Sequence, residues 1–295
     1  MSKVEILTFT DPMMGLSYEC EPIFRKLETH FAGAVEFKFI MSLLVADVYE
    51  RVNPRDLEVS KEFAIKNYNA RLAKIYADEE DIAGMPINMD GFQLFSVNET
   101  STLPLNLAYK AAQLVDAARA DLFLYNLRYA TVVECRPTNR SEEILRVVRK
   151  TGISVEDFVA QHKNGNARAA LNEDLRFAQM LNLRSLPAYL VTCGEEGALA
   201  QSLIDYETFV SLIARVSNGA VKPVPPARTL DAVRELLQAH PLISPIEIRE
   251  AFDFSSVEEV ADFVKPLVDG GEISVVDVKR GWFYRACQDI LSTLK

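Results

Sequence analysis

The chain is poor in the residues that carry redox and metal chemistry. Its 295 residues include four cysteines, three histidines and one tryptophan. Cys20, Cys135, Cys193 and Cys287 are scattered, and no two stand in C-x-x-C spacing. That scatter argues against a reactive dithiol, a disulfide framework and a zinc site. It favours reduced thiols and a cytoplasmic location. Positive charge is also in deficit. Thirty-two Lys and Arg stand against 42 Asp and Glu, a formal net charge of −10. Nucleic acid and anionic membrane are disfavoured as general partners. No apolar run is long enough to cross a bilayer. The start of the chain, Met1-Ser2-Lys3-Val4, lacks the charged and apolar regions of a signal peptide, so none is expected.

What is present suffices for a core without staples. About half the residues are hydrophobic (49%), and the length accommodates two ordinary domains. Val4, Ile6, Leu7 and Phe9 mark a first strand. Thr10-Asp11-Pro12 and Met13-Met14-Gly15-Leu16-Ser17-Tyr18 form a turn, and Glu21 to Leu27 is an amphipathic helix. Val35 to Ile40 alternates as a second strand. From about 54 to 182 the pattern is mostly helical, with one apolar face through Leu107, Ala111 and Val115. Ala188 to Thr192 and Ala198 to Leu203 read as a hairpin around a turn at 193–197, and a helix follows from about Tyr206 to Val216.

Lys222-Pro223-Val224-Pro225-Pro226 then reads as a stiff linker. Beyond it the chain divides into three short helices: one around Leu230 to Leu237, one opened by Ser244-Pro245, and one capped by Ser256. Ile273 to Val276 and Gly281-Trp282-Phe283-Tyr284 suggest a hairpin packing its own small core. The order resembles a winged-helix module. From Thr229 onward, however, twelve Asp and Glu face seven Lys and Arg. Glu258, Glu259 and Asp262 on the third helix would repel phosphate in a groove. A protein-interaction or dimerisation element is the expected role, with a homodimer as one outcome.

The first turn resembles that of the DsbA-like thioredoxin-fold family, which includes FrnE and dithiol-disulfide isomerase-like proteins. Leu103 to Ala112, Leu127 to Arg136 and Ala178 to Tyr189 resemble further family segments in the same order. The resemblance covers about residues 1 to 215. It implies an α/β thioredoxin fold with a large helical insertion, to which the element order beyond the linker adds the winged-helix-like α+β module. The corresponding domains are residues 1–221, a linker at 222–228, and residues 229–295. It also implies a cis peptide before Pro187, with the backbone of Leu186 open to an extended peptide.

Family members read C-x-x-C where this chain has Met14-Gly15-Leu16-Ser17. Met14 cannot ionise, and the Ser17 hydroxyl is too basic to act without a partner base. Disulfide exchange needs an attacking thiolate and a resolving thiol, so no catalytic residue is assigned. Cys20 is read as a buried packing thiol. Kappa-class glutathione transferases share this fold and use a serine to stabilise the glutathione thiolate. Their serine corresponds to Met14 here, not Ser17, yet a glutathione-dependent transferase or isomerase using Ser17 is the alternative. The leading expectation is a redox-inactive homologue of the disulfide oxidoreductases, with no cofactor. It would bind a peptide or protein in a groove formed by Met14, Gly15, Leu16, Tyr18, Leu186 and Pro187, as adaptor members of the family do.

Overall fold

The computed structural model describes residues 3–287; the last residues of the expected tail module lie outside that range. The first sheet has four strands: β1 (Val4–Thr10), β2 (Val35–Met41), β3 (Ala188–Cys193) and β4 (Glu196–Gln201). Their order is β2-β1-β3-β4. β1 runs parallel to β2 and antiparallel to β3, and β3 runs antiparallel to β4. The β3–β4 connection is a tight two-residue turn at Gly194 and Glu195. It is shorter than the turn expected at 193–197, because Cys193 and Glu196 still pair across the ladder.

β1 is buried on both faces, which explains its nearly continuous apolar run. On one face lie α2 (Glu21–His30) and α10 (Tyr206–Val216). There Phe24 of α2 meets Phe37 at 5.4 Å, and Phe209 meets Tyr189 at 4.9 Å. On the other face Phe9 contacts Phe177 of α9 (Asn166–Met180) at 5.4 Å. Between β2 and β3 the chain forms α3 (Pro54–Val59), α4 (Lys61–Glu79), α5 (Leu103–Val115), α6 (Ala117–Val132), α7 (Ser141–Lys150), α8 (Val155–Lys163) and α9. This is the large helical insertion of a DsbA-like thioredoxin fold. Residues 81–102 depart from the helical expectation. They are irregular, yet Met85, Ile87, Phe92, Leu94 and Phe95 are buried.

The tail holds α11 (Leu230–Ala239), β5 (Leu242–Ile243), α12 (Pro245–Ala251), α13 (Val257–Asp269), β6 (Ile273–Val278) and β7 (Gly281–Ala286). Its sheet order is β5-β7-β6. Serines cap α12 and α13 as expected; Ser244 forms a capping box with Glu247. β5 is too short for a periodic signal. The tail has its own apolar cluster around Val233, Ile248, Phe252, Val264 and Tyr284. One strand, though, serves two cores. Tyr284 faces the tail cluster, whereas Phe283 packs edge-on against Tyr129 of α6 at 4.9 Å. The strand packs the tail's own small core through Trp282 and Tyr284, and Phe283 adds a contact to α6 that the sequence pattern does not announce. Period-two alternation along β7 sends neighbouring rings to opposite sides.

Charged groups join the tail to the first sheet's helices. Arg25 of α2 donates through Nε to Glu247 Oε1 at 3.3 Å, and Tyr125 donates to Glu247 Oε2 at 2.6 Å. Lys26 pairs with Asp253 at 2.6 Å, and Thr29 Oγ1 donates to Ala251 O at 2.8 Å. At the far edge Arg280 pairs with Glu80 at 2.8 Å, and Lys279 pairs with Asp90.

Candidate functional site

The first turn leaves β1 and enters α1 (Gly15–Glu19), which continues through Cys20 into α2. Asp11 anchors it from beneath. Its fully buried carboxylate accepts from Met13 N at 3.0 Å, Leu44 N at 2.7 Å, Thr102 Oγ1 at 2.7 Å and Asn106 Nδ2 at 2.8 Å. Burial raises its pKa and these four donors oppose the rise. Pro12 and Met13 therefore sit on a fixed corner.

α4 covers the turn. Tyr76 donates to Met13 O. Gly15 is the one residue that permits this approach: a β-carbon there would fall against Glu79 Oε2 and within 2.5 Å of Tyr76 Cδ1. Its need is for space rather than for a left-handed backbone.

Ser17 points away from solvent. It is 1% exposed, and its Oγ lies 2.7 Å from Thr10 Oγ1. Arg128 donates to the same Thr10 oxygen at 2.9 Å and to Glu21 Oε1 at 2.8 Å. The hydroxyl expected to serve glutathione is thus committed to a buried polar chain, which counts against the transferase alternative. Met14 Sδ lies 4.0 Å from Ser17 Oγ. Cys20 is also buried. Its Sγ lies 3.2 Å from the Tyr189 hydroxyl, and burial pushes the thiol up to about 12. A thiol so placed is a poor nucleophile at neutral pH.

Tyr18 does not line a groove. It is wholly buried and donates to Pro86 O at 3.0 Å. The irregular segment 81–102 covers the face of α1 on which it was expected to be open. Leu186 and Pro187 lie where the turn is approached from β3. Their peptide bond is cis, and Pro187 O accepts from Ser202 N at 2.9 Å.

Met13, Met14, Gly15, Leu16 and Leu186 come together in one cavity of about 350 Å³. Val45, Leu72, Ile75 and Tyr76 extend its apolar wall, and Arg51, Arg71 and Glu79 supply its charge. Glu79 is the residue that sequence reasoning passed over. Its Oε2 is covered by protein and has no hydrogen-bond partner, and burial pushes its carboxyl up to about 7. Its only signal in sequence is a position on the Leu72–Ile75–Tyr76 face of α4, which links nothing to the turn until the fold is known. Among the described residues no cluster of His, Cys, Asp and Glu could hold a metal ion, and no disulfide joins the four cysteines.

Comparison with known proteins settles the family. The family model for thioredoxin matches residues 7–210. The chain belongs to the thioredoxin family. The chain is also 23% identical over 291 residues to the ClpXP adapter protein SpxH of Halalkalibacterium halodurans, covering 96% of this chain and 88% of that protein. It is 21% identical over 290 residues to SpxH of Bacillus subtilis, covering 96% and 89%. Both alignments run through the tail module as well as the thioredoxin-family region. Among solved structures, a putative protein disulfide isomerase from Nitrosomonas europaea superposes with a TM-score of 0.60 at 13% identity, covering 74% of this chain and 99% of that one. A probable DsbA oxidoreductase from Streptomyces coelicolor gives 0.55 at 15% identity, covering 77% and 94%. These two share the fold. Both leave out about a quarter of this thioredoxin-family chain.

Proposed function

We propose that this protein is a redox-inactive, thioredoxin-fold adaptor that holds a segment of a client protein in the cavity between α4, the Met14–Leu16 turn and Leu186. The observation that carries the reading is chemical: the turn presents a thioether, a glycine and a leucine to the cavity, with no ionisable nucleophile. Methionine and leucine side chains adapt to varied peptide surfaces. The cavity falls at the lower end of the size range for ligand sites, which suits a few side chains of a longer segment. The likeness to SpxH over nearly the whole chain supports an adaptor role toward a ClpXP-type protease, and with it a cytoplasmic place of action. In this reading residues 1–221 bind the client, and residues 229–295 serve as the second, protein-facing unit.

Phage selection of peptides on the full chain tests the proposal. The expected result is a selected peptide whose affinity Leu186→Arg lowers at least about tenfold, because the longer, charged side chain would fill the cavity and compete with the peptide for its apolar wall and for Glu79. Selected peptides insensitive to Leu186→Arg, or robust reduction of insulin by the chain, would overturn it.

A further inference from the structure

The cavity carries charge at both ends. Tyr68, Arg71, Leu72, Ile75, Tyr76 and Glu79 all line it from α4, as residues three or four apart on one helix face must. Arg71 and Glu79 stand eight residues apart, about 12 Å along the axis. Leu72 and Ile75 lie between them.

The two ends differ in what they already hold. Arg71 donates to Arg51 O at 2.6 Å and stacks over the Tyr68 ring at 5.0 Å, and Arg51 donates to Leu44 O at 3.2 Å. Arg280 pairs with the neighbouring Glu80 rather than with Glu79. Glu79 Oε2 is left with no donor among the described residues. A covered carboxylate oxygen without a donor is costly to maintain, and such groups call for an explanation in a native fold. Here the side chain lines an open apolar cavity. Oε2 itself lies against Gly15, so a donor brought by a ligand would meet the carboxylate where the side chain borders the cavity.

We infer that the cavity selects an extended peptide with a Lys or Arg side chain at the Glu79 end, an acidic side chain at the Arg71 end, and apolar residues between. An extended strand rises about 3.4 Å per residue, so the two charges belong about four positions apart. This inference rests on the peptide-groove reading and adds its charge register.

Fluorescein-labelled acetyl-Lys-Leu-Leu-Leu-Glu-amide and its reversed-order counterpart serve as probes, each with a norleucine-for-Lys control. Binding to the full chain is read by anisotropy at about pH 8, where the Glu79 carboxyl is ionised. One of the two orders is expected to bind about tenfold tighter than its norleucine control, the scale of one charge-assisted hydrogen bond. Glu79→Gln should remove that preference while melting at or above the native temperature. Glu79→Lys should turn the preference toward a peptide with Glu at the Lys position. Equal binding of Lys and norleucine peptides, both abolished by Leu186→Arg, would overturn the charge register and leave the groove reading standing. Absence of binding by every probe, or binding indifferent to Leu186→Arg, would overturn both.

Discussion

Ser17 Oγ and Thr10 Oγ1 lie 2.7 Å apart beneath the first turn, and Arg128 holds the same threonine oxygen from the other side at 2.9 Å. The hydroxyl that the glutathione alternative would use is here part of the floor. Ser17→Ala should therefore cost about 1 kcal/mol of stability, the usual worth of one buried hydrogen bond. It should leave peptide affinity unchanged. Urea denaturation and a peptide titration on the same preparation read both. A loss of ligand binding with unchanged stability would return Ser17 to the site.

Cys20 gives a second check on the same floor. With its thiol raised to about 12 and only 2% exposed, it should resist iodoacetamide in the native state. Cys135 is partly exposed, though its thiol too is raised by burial, and should react before Cys20. Peptide mass spectrometry after a timed pulse at neutral pH measures the order. Rapid labelling of Cys20 would mean that the floor opens.

Arg25 is the keystone of the contact between α2 and the tail. It pairs with Glu21 at 2.8 Å, Glu28 at 2.6 Å and Glu247 at 3.3 Å, and His240 Nε2 lies 2.5 Å from its Nη1. Arg25→Met should destabilise by about 3–5 kcal/mol, because it strands buried carboxylates. Adding Glu247→Gln should recover part of that loss. Denaturant midpoints of the single and double variants test this coupling.

The buried acids set the direction of pH dependence. Burial holds Glu19 up to about 8, Glu79 and Glu247 up to about 7, and Asp121 up to about 6. In the unfolded chain these groups lose their protons near ordinary carboxyl values. The folded state thus binds more protons across that window, and stability falls as pH rises through it. His30 and His240 oppose this, since burial lowers both. Glu28 acts at the other end. It is held down to about 2, with hydrogen bonds and charge from His240 and Arg25 outweighing its burial. Its contribution is present above about pH 4.5 and is lost as pH falls toward 2. The melting temperature should decline from about pH 5 to about pH 8. Glu19→Gln should flatten that decline, since Glu19 Oε1 has no partner while Oε2 accepts from Ala83 N at 2.9 Å. A melting curve that rises steadily over the window would contradict these assignments.

Gly15 reports on the packing of α4 over the turn. Gly15→Ala should cost about 1–3 kcal/mol through overpacking against Tyr76, and should weaken peptide binding by displacing one wall of the cavity. Pairing it with Tyr76→Phe separates ring crowding from loss of the hydrogen bond to Met13 O.

Much of the frame was legible because it is local. Val4 to Phe9, the Ala188 hairpin, the Tyr206 helix and the caps at Ser244 and Ser256 follow from periodicity and end chemistry. The cis bond before Pro187 followed from resemblance, not from spacing. The misjudged and missed residues depend on distant chain. Tyr18 was expected at the surface, yet Pro86 and its neighbours cover it from 68 residues away. That segment has no helical or strand period, so its burial leaves no pattern to read. The Arg25–Glu247 pair spans 222 positions, and Glu79 gains meaning only when α4 lies across Gly15.

The central claim is delivery without thiol chemistry, and a reconstituted degradation assay tests it most directly. A fluorescent reporter fused to the selected peptide is incubated with ClpX, ClpP and ATP, and its loss is followed with native chain, with a variant carrying alanine at Cys20, Cys135, Cys193 and Cys287, and with Leu186→Arg. The account predicts that the native and cysteine-free chains accelerate reporter loss equally and that Leu186→Arg does not. Loss of the effect in the cysteine-free chain, or its survival in Leu186→Arg, would contradict it.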